Sequence, residues 1–334
     1  MKIAIQHSKG TFSDRWIAYC EQEHIEYKIV DCYKNDIIQQ LDDCGAFMWH
    51  SNHAHAQATL FAKQLMYSVA AMGKKVFPDF NTYWHFDDKV GQKYLLEALG
   101  VPFVPSFVFY TKKDALAWVD TTQFPKVFKL RGGAGSANVQ LAKTKQQAIS
   151  MVNQAFGKGF SQYDGWGNFK ERLRKYRHGK TNFFDVCKGF VRLFYKTEFA
   201  KVAGREKGYI YFQEFIENND CDIRIIVIGE KAFAMKRMVR ENDFRASGSG
   251  ITYYERDLFD IESVKIAMNI NRKLGAQCLA YDFVYQNGQP LILEISYGFA
   301  IEIYDACTGY WDKNLDWHPG KFIPQQWMVD EILK

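Results

Sequence analysis

Two carboxylates, Asp282 and Glu294, lie in apolar segments that an Asn287-Gly288 pair joins. An Asn-Gly pair in this setting predicts a β-hairpin, and carboxylates held on a rigid hairpin can bind Mg²⁺. Because side chains alternate between the faces of a strand, a strict two-residue loop would put the two carboxylates on opposite faces. An odd loop or a bulge would put them on one face with Ser296. A magnesium site therefore predicts an odd loop or a bulge, whereas Glu294 as a solvated edge residue, the alternative, requires neither.

A glycine-rich loop follows the apolar segment that ends at Lys129. Small residues let backbone N–H groups approach phosphate oxygens, and those of the loop include Gly132, Gly133, Gly135 and Ser136. In a Walker loop the lysine follows the glycines and a helix comes next, but here the lysine comes first and a strand over 138–142 follows. This order predicts a hairpin lid over a nucleotide, and an ordinary hairpin connector is the alternative.

Further polar groups adjoin apolar strands after this loop. They are Gln213, Glu214 and Phe215 at a strand end, Asp222 and Arg224 on one face of the next strand, and Arg245 before a second loop of small residues. Charges beside apolar strands need partners, which a polyphosphate with Mg²⁺ would supply. Structural ion pairs are the alternative.

Hydrophobic periodicity indicates the elements that would position these residues. Residues 1–85 alternate strands and helices, which predicts a small doubly wound domain. A helix over 88–99 opens a second unit, 86–212, which contains the glycine loop and a long insert at 156–208. The third unit, 213–334, contains the hairpin and an aromatic C-terminal segment. The predicted fold class is therefore α/β with α+β lobes.

The composition is that of a globular protein. Its 334 residues, 47% hydrophobic and 24% charged, supply core material for two or three subdomains. No apolar run approaches the roughly 18 residues of a membrane span, and the first residues read as a short strand. Seven cysteines without paired spacing fit a reducing compartment, so we expect a cytoplasmic protein.

Positive charge is concentrated in the segment 157–208, which holds thirteen Lys and Arg against five Asp and Glu. Its basic residues include Lys170, Arg172, Arg174, Lys175, Arg177 and Lys180. Such a segment can face a phosphorylated substrate, an anionic membrane or nucleic acid, or it can be a solvated helical face. The aromatic run 297–320 has the composition of a carbohydrate-binding edge, although aromatic segments more often cap a core.

Three histidines, His50, His53 and His55, follow the third predicted strand. They lie where α/β folds bind ligands. A zinc site lacks a fourth ligand nearby, so substrate contact and an ordinary loop are the main alternatives.

The order of these features along residues 86–299 resembles that of the ATP-grasp superfamily. Within it, the chain is similar to the branch of glutathione synthetase and ribosomal-protein glutamate ligase, whose ATP-grasp region opens with an Asp-Lys helix like Asp88-Lys89. The resemblance implies an ATP-grasp fold in which residues 1–85 form the pre-ATP-grasp domain.

The resemblance also implies roles in binding ATP. Lys89 and Lys129 would hold the α- and β-phosphates under a lid formed by the loop 132–137. Gln213, Glu214 and Phe215 would bind adenine through backbone groups, and Asp222 would lie near the ribose.

For catalysis, the resemblance implies that Arg245 neutralises the γ-phosphate, with Lys129 and Arg224 as further catalytic charges. Asp282, Glu294 and Ser296 would hold Mg²⁺, or Mn²⁺ in its place. The branch usually has Asn two residues after the metal-binding Glu, whereas Ser296 occupies that position here. A serine side chain is shorter than that of Asn, and its hydroxyl is a weaker oxygen ligand than an amide. The sequence therefore leaves open whether one or two metal ions bind.

The implied reaction is activation of a carboxylate by ATP to an acyl phosphate, followed by attack of an amine or thiol. Such catalysis rests on positioning and charge neutralisation. The basic insert and the aromatic run favour an acidic glycan or glycan precursor as the carboxylate, with an amine acceptor and peripheral contact with a membrane-linked substrate. An ATP-grasp kinase and a non-catalytic ATP-binding regulatory module are the alternatives. A nucleic-acid partner is not expected, and the oligomeric state is open.

Overall fold

The structure is a computed structural model that describes most of the chain. The described residues are 1–52, 56–132, 138–161, 169, 172, 173, 176, 181–194, 202, 204–240, 243–246 and 248–334. In these ranges no helix is long and apolar enough to cross a bilayer.

The N-terminal unit is built on a parallel four-stranded sheet in the order β2-β1-β3-β4. Its strands are β1 (Ile3–Gln6), β2 (Tyr27–Val30), β3 (Ala46–Trp49) and β4 (Lys75–Phe77). The helices that alternate with them are α1 (Phe12–Gln22), α2 (Ile37–Gln40) and α3 (Ala58–Ala71), followed by the short α4 (Phe80–Tyr83). The doubly wound pattern predicted for the first eighty residues is confirmed, because buried apolar strands alternate with amphipathic helices.

A second sheet is antiparallel, in the order β5-β10-β6-β7. Its strands are β5 (Ser106–Phe109), β6 (Lys126–Lys129), β7 (Val139–Ala142) and β10 (Ile210–Glu214). Helices α5 (Lys89–Ala98), α6 (Lys112–Thr121) and α7 (Lys145–Ala155) belong to the same stretch of chain. Within the insert lie β8 (Phe160–Ser161), α8 (Phe183–Phe194) and β9 (Arg205–Glu206), of which β8 and β9 pair.

The third sheet has seven strands, six of them in the order β15-β14-β11-β12-β16-β17, and β13 pairs with β12. The strands are β11 (Cys221–Ile228), β12 (Lys231–Met238), β13 (Thr252–Tyr253), β14 (Cys278–Gln286), β15 (Gln289–Ser296), β16 (Gly309–Trp311) and β17 (Trp317–Pro319). Two helices complete this part of the chain, α9 (Ile261–Leu274) and α10 (Pro324–Leu333).

The division that we propose from the sequence, with boundaries near residues 86 and 213, stays a proposal. One strand crosses a boundary, because β10 of the second sheet ends at Glu214. The mixture of a parallel sheet and two antiparallel sheets confirms the predicted fold class.

The C-terminal helix α10 joins the third sheet to the N-terminal unit. Apolar residues of α10, of α1 and of one face of the third sheet form a common core. Polar contacts reinforce this junction: Arg15 donates to both carboxylate oxygens of Asp305 at 2.6 Å, and the Tyr19 hydroxyl donates to Asp330 at 2.9 Å. The N-terminal unit is therefore packed firmly against the large sheet.

Candidate active site

Five charged side chains lie on one face of the large sheet, called the charged face below. They are Asp222, Arg224, Arg237, Asp282 and Glu294. The register explains the grouping, because residues directly opposite each other on antiparallel strands point to the same face. Asp222 is opposite Arg237, and Asp282 is opposite both Arg224 and Glu294 on its two neighbouring strands.

A bulge brings Glu294 to this face. The turn of the hairpin is a strict two-residue one, since Gln286 pairs with Gln289. The register then shifts between Asp282 and Phe283, because Phe283 pairs with Ile292 and leaves Leu293 as the extra residue. The prediction of an odd loop or a bulge is thus confirmed, because the hairpin contains a bulge.

Asp282 is held by two arginines. Arg224 donates to its two oxygens at 2.5 and 2.6 Å, and the Nη2 group of Arg237 lies 3.0 Å from Oδ2. Burial alone would raise the pKa of Asp282, but the two guanidinium groups hold that pKa well below its usual range. The carboxylate is therefore ionised at any physiological pH.

Arg237 also binds Asp222, donating to both carboxylate oxygens at 2.6 and 2.7 Å. Both side chains are buried. The sequence analysis missed Arg237. This residue directly follows Lys236 in an apolar strand, and neighbouring side chains of a strand point to opposite faces. One of the two basic residues therefore had to face the core, and this was the available signal. The carboxylate that we assigned to the ribose side is thus engaged with an arginine.

Two buried lysines lie beside the charged face. Lys89 is the first residue of α5, which Asp88 caps by accepting from the Gly91 N–H group at 2.9 Å. The Nζ group of Lys89 lies 3.2 Å from Glu294 Oε1. The backbone N–H group of Lys89 donates to the carbonyl of Arg131 at 3.0 Å, which places the start of α5 next to the end of β6. Lys129, the last residue of β6, is 5% exposed.

The pKa of Lys129 predicts how ATP affinity depends on pH. Burial lowers this pKa to about 8, against the opposing effect of Glu294. A bound phosphate favours the protonated amine, so ATP should bind equally well below pH 8 and more weakly as Lys129 loses its proton above it. We expect the Kd for ATP, measured by calorimetry, to rise about tenfold between pH 7.5 and 9.5. The Lys129→Arg variant stays charged and should show a flat profile; a flat profile in the unmodified protein would contradict the prediction.

The segment assigned to adenine binding lines a cavity of about 670 Å³. The Nε2 group of Gln213 donates to Ser106 Oγ at 3.1 Å and to the Leu293 carbonyl at 3.3 Å. Its Oε1 atom is a buried acceptor without a hydrogen-bond partner among the described residues. Glu214 pairs at 2.7 Å with Lys126, a buried lysine that the sequence analysis did not single out. Phe215 also lines the cavity.

The same cavity reaches most of the other assigned residues. The charged face lines it, together with Lys89, Lys129 and Ser296. The Ser296 hydroxyl donates to the Gly298 carbonyl at 3.0 Å. Arg245 lines the cavity as well and binds Asp243 through Nε at 2.9 Å and Nη2 at 2.6 Å. No group of three or more His, Cys, Asp and Glu side chains that could hold a metal occurs within the described ranges.

The lid is only partly described. Gly132 is buried, whereas Gly133, Gly135 and Ser136 lie outside the described residues, as do His53 and His55. Of the basic residues that we singled out in the insert, Arg172 is described, and its Nη1 group donates to the Asp185 carbonyl at 3.1 Å. The assignment of a phosphate lid stays a prediction.

The aromatic C-terminal run caps the core. Tyr297, Tyr304 and Trp311 are each at most 1% exposed, and Trp311 packs against Trp317 with ring centroids 4.7 Å apart. The hypothesis that these rings form a carbohydrate-binding edge is wrong for the buried ones, and the alternative stated with it is confirmed.

Comparisons with known proteins indicate the family to which the chain belongs. The family model of a RimK-like ATP-grasp domain matches residues 196–310. A protein of Shewanella sp. (strain W3-18-1), named a probable alpha-L-glutamate ligase 1, is 36% identical over 334 residues, which cover 92% of this chain and 91% of that protein. The match to its namesake from Shewanella sp. (strain MR-4) is shorter, and the chain there spans 35% of the relative's length.

Two solved structures show the same fold. A RimK domain ATP-grasp protein from Sphaerobacter thermophilus is similar over the whole of both chains, with a TM-score of 0.57 and 13% identity. The biotin carboxylase domain of a 2-oxoglutarate carboxylase from Hydrogenobacter thermophilus, solved with MgADP, has a TM-score of 0.63 and 11% identity and covers 99% of this chain and 69% of its own. At these identities the likeness concerns the fold alone.

Proposed function

Because this chain belongs to the RimK-like branch of the ATP-grasp superfamily, we propose that it is an ATP-dependent ligase that joins a carboxylate to an amine through an acyl phosphate. The observation that carries the proposal is the convergence of two buried lysines, Lys89 and Lys129, with the carboxylates Asp282 and Glu294 around one cavity. Positive groups that bind phosphates and acidic groups that bind a metal are the two requirements of this chemistry.

The residues present fit a nucleotide. The unpartnered Oε1 atom of Gln213 can accept from an amino group such as that of adenine, and a cavity of about 670 Å³ can enclose a ligand of this size. Lys89 and Lys129 would pair with phosphate oxygens. Gln213, Glu214 and Phe215 would line the base, as the resemblance implies.

The residues also fit one Mg²⁺ ion. A carboxylate has about four acceptor directions, and the arginines use three of those of Asp282. Asp282 thus keeps one direction on Oδ1 for a metal, and Glu294 has its second oxygen beyond its contact with Lys89. When bound, Mg²⁺ would neutralise phosphate charge and align the transferred phosphoryl group. Ser296 is the weaker ligand, because its hydroxyl oxygen is neutral and Mg²⁺ prefers charged carboxylate oxygens; its proton is donated to the Gly298 carbonyl.

The catalytic work of the chain is then positioning and charge neutralisation. Lys129 stands at the end of β6, where it would hold a phosphate while the carboxylate substrate attacks. Arg245, kept oriented by Asp243, would offset the charge that develops on the transferred group. Arg224 keeps Asp282 in place and borders the same cavity.

For the substrate, we propose L-glutamate first, since the relatives described above are named as glutamate ligases. The acidic-glycan hypothesis has lost the aromatic run as a support and depends on the basic insert alone. Membrane contact has the same single support. Both stay hypotheses that a substrate panel can separate from the proposal.

The test measures ADP and free phosphate released from Mg·ATP with L-glutamate, other amino acids and uronic acids, each with and without an amine. We expect equal amounts of ADP and phosphate only when a carboxylate and an amine are both present. ADP without phosphate would indicate a kinase, and ATP binding with no release of either would indicate a regulatory module. A response to uronic acids and to no amino acid would revive the glycan hypothesis.

A further inference from the structure

The central cavity extends beyond the groups that the proposed function uses. It reaches the N-terminal unit, where Gly10 and His50 line it together with Gly298. These residues come from the loop after β1, from the residue after β3 and from the segment after β15. The carboxyl ends of parallel strands are where such sheets bind ligands.

The ring of His50 is fixed in this wall. It stacks on Phe12 with centroids 3.6 Å apart and an interplanar angle of 6°, and it meets the ring of Tyr297 edge-on at 6.1 Å. His50 is 8% exposed. Tyr297 in turn donates from its hydroxyl to the Ser51 carbonyl, and Ser51 bonds to the Tyr83 hydroxyl at 2.6 Å. The imidazole therefore has one orientation.

The hydrogen bond that one ring nitrogen of His50 accepts determines whether the other ring nitrogen carries a proton. The backbone N–H group of Phe12 donates to His50 Nδ1 at 3.0 Å, so Nδ1 acts as an acceptor. Burial lowers the pKa of His50 to about 3, so the ring is neutral. A neutral imidazole with an accepting Nδ1 carries its proton on Nε2.

The Nε2 donor lies beside Gly298. The Nε2 atom lies 3.9 Å from the position that a Cβ atom on Gly298 would take, and the absence of that atom leaves space beside the donor. Within the described residues no hydrogen bond is found for Nε2. The eleven-residue helix α1 begins beside the ring at Phe12, and its first N–H groups are already bonded, that of Phe12 to His50 and that of Ser13 to Thr11.

From this geometry we propose that His50 binds a carboxylate of the substrate through Nε2–H, where the N-terminal unit lines the cavity. The inference rests on the proposed ligase function and extends it by assigning the acid substrate to the N-terminal unit. A buried N–H donor without a partner in the protein is stabilised by a hydrogen bond to a ligand oxygen, and a charged carboxylate oxygen makes the stronger bond. Because its accepting nitrogen is already occupied, His50 positions the carboxylate and takes no proton.

A matched pair of substitutions tests the assignment. His50→Asn keeps an oxygen near the Nδ1 position, where it can accept from Phe12, and loses the Nε2 donor. His50→Gln carries an amide N–H group near the Nε2 position. We expect the Kd for L-glutamate, measured by calorimetry with Mg²⁺ and a non-hydrolysable ATP analogue, to rise about 10- to 100-fold in His50→Asn and to change little in His50→Gln. The Kd for the ATP analogue should stay within about twofold in both variants.

Gly298→Ala tests the same site without touching the histidine. A methyl group there would make ordinary contacts, 3.5 Å from Phe86 and 3.9 Å from His50, so the fold should tolerate it. It would fill the space before Nε2, and we expect the Kd for L-glutamate to rise several-fold.

Each outcome decides the inference separately from the ligase proposal. Weaker binding in His50→Asn and Gly298→Ala supports the site, even if the unmodified protein proves unable to form product. Equal binding in all variants overturns the site and leaves the ligase proposal intact. If the unmodified protein binds neither L-glutamate nor any other carboxylate of the panel, the site is overturned as well.

Discussion

Replacing Glu294 by Gln is expected to lower the rate of ADP release by about 10³-fold, equivalent to about 4 kcal/mol of transition-state stabilisation. Glu294 is one of the two acidic groups of the charged face that we propose as Mg²⁺ ligands, and the amide lacks the charge that a hard cation prefers. The amide oxygen of Gln still accepts from Lys89, now 3.2 Å from the carboxylate. We therefore expect the free energy of unfolding to fall by no more than about 2 kcal/mol.

The control is the same change at Glu97. This residue of α5 pairs with Lys93 at 2.6 Å, and 43% of its side chain is exposed. Glu97→Gln should leave ADP release within about twofold of the unmodified protein, because an exposed helical pair contributes little. Activity above about one tenth of normal in Glu294→Gln would contradict the role of Glu294 as a metal ligand.

Replacing Arg237 by Met should have the largest effect on stability. Its side chain, 7% exposed, binds Asp222 through two hydrogen bonds and lies 3.0 Å from Asp282. Removing one member of a buried ion pair leaves an uncompensated charge and typically costs about 3–5 kcal/mol. We expect urea denaturation to show a loss of this size, and the expression of the variant to fall with it.

A double variant separates the charge effect from lost packing. In Arg237→Met with Asp222→Leu one of the stranded carboxylates is also removed, so the double variant should be more stable than Arg237→Met alone. Arg272→Met, a change on α9 where the arginine contacts Asn269 at 3.3 Å, should change stability by less than about 0.5 kcal/mol. A loss below about 1 kcal/mol in Arg237→Met would show that the buried network is dispensable.

The sequence indicates the candidate residues of the site, and it does not indicate the side chains that hold them in place. Asp282 and Glu294 were recognisable because the Asn-Gly pair indicates a hairpin. Side chains alternate between the two faces of a strand, so the loop length then determines whether the two carboxylates share a face. Arg237 was not, because Lys236 and Arg237 are adjacent and only the pairing with Asp222 shows which one turns inward. The sequence also does not show how Lys126 and Lys129 differ. Both lysines are buried, but only Lys129 lines the cavity.

Long-range packing accounts for what the sequence could not show. The run of aromatic residues after Ser296 has a composition that fits both a sugar-binding edge and a core, and only the docking of α10 and β16 decides for the core. The orientation of His50 likewise depends on Phe12 and Tyr297, which are 38 and 247 positions away along the chain. Local patterns carry no information on such distant contacts.

Because Leu293 is an extra residue in the ladder, the number of residues between Asp282 and Glu294 is constrained in relatives that keep both carboxylates on one face. Eleven residues separate the two carboxylates, an odd number that a two-residue turn accommodates only with the bulge. Insertion or deletion of one residue between them would send Glu294 to the opposite face unless the bulge were lost or moved at the same time. Length changes in this hairpin should therefore be tolerated two residues at a time, or one at a time when the chain regains a regular ladder. In sequence alignments with relatives, gaps in this hairpin should therefore be two residues long, or one residue long where the relative has a regular ladder without the bulge.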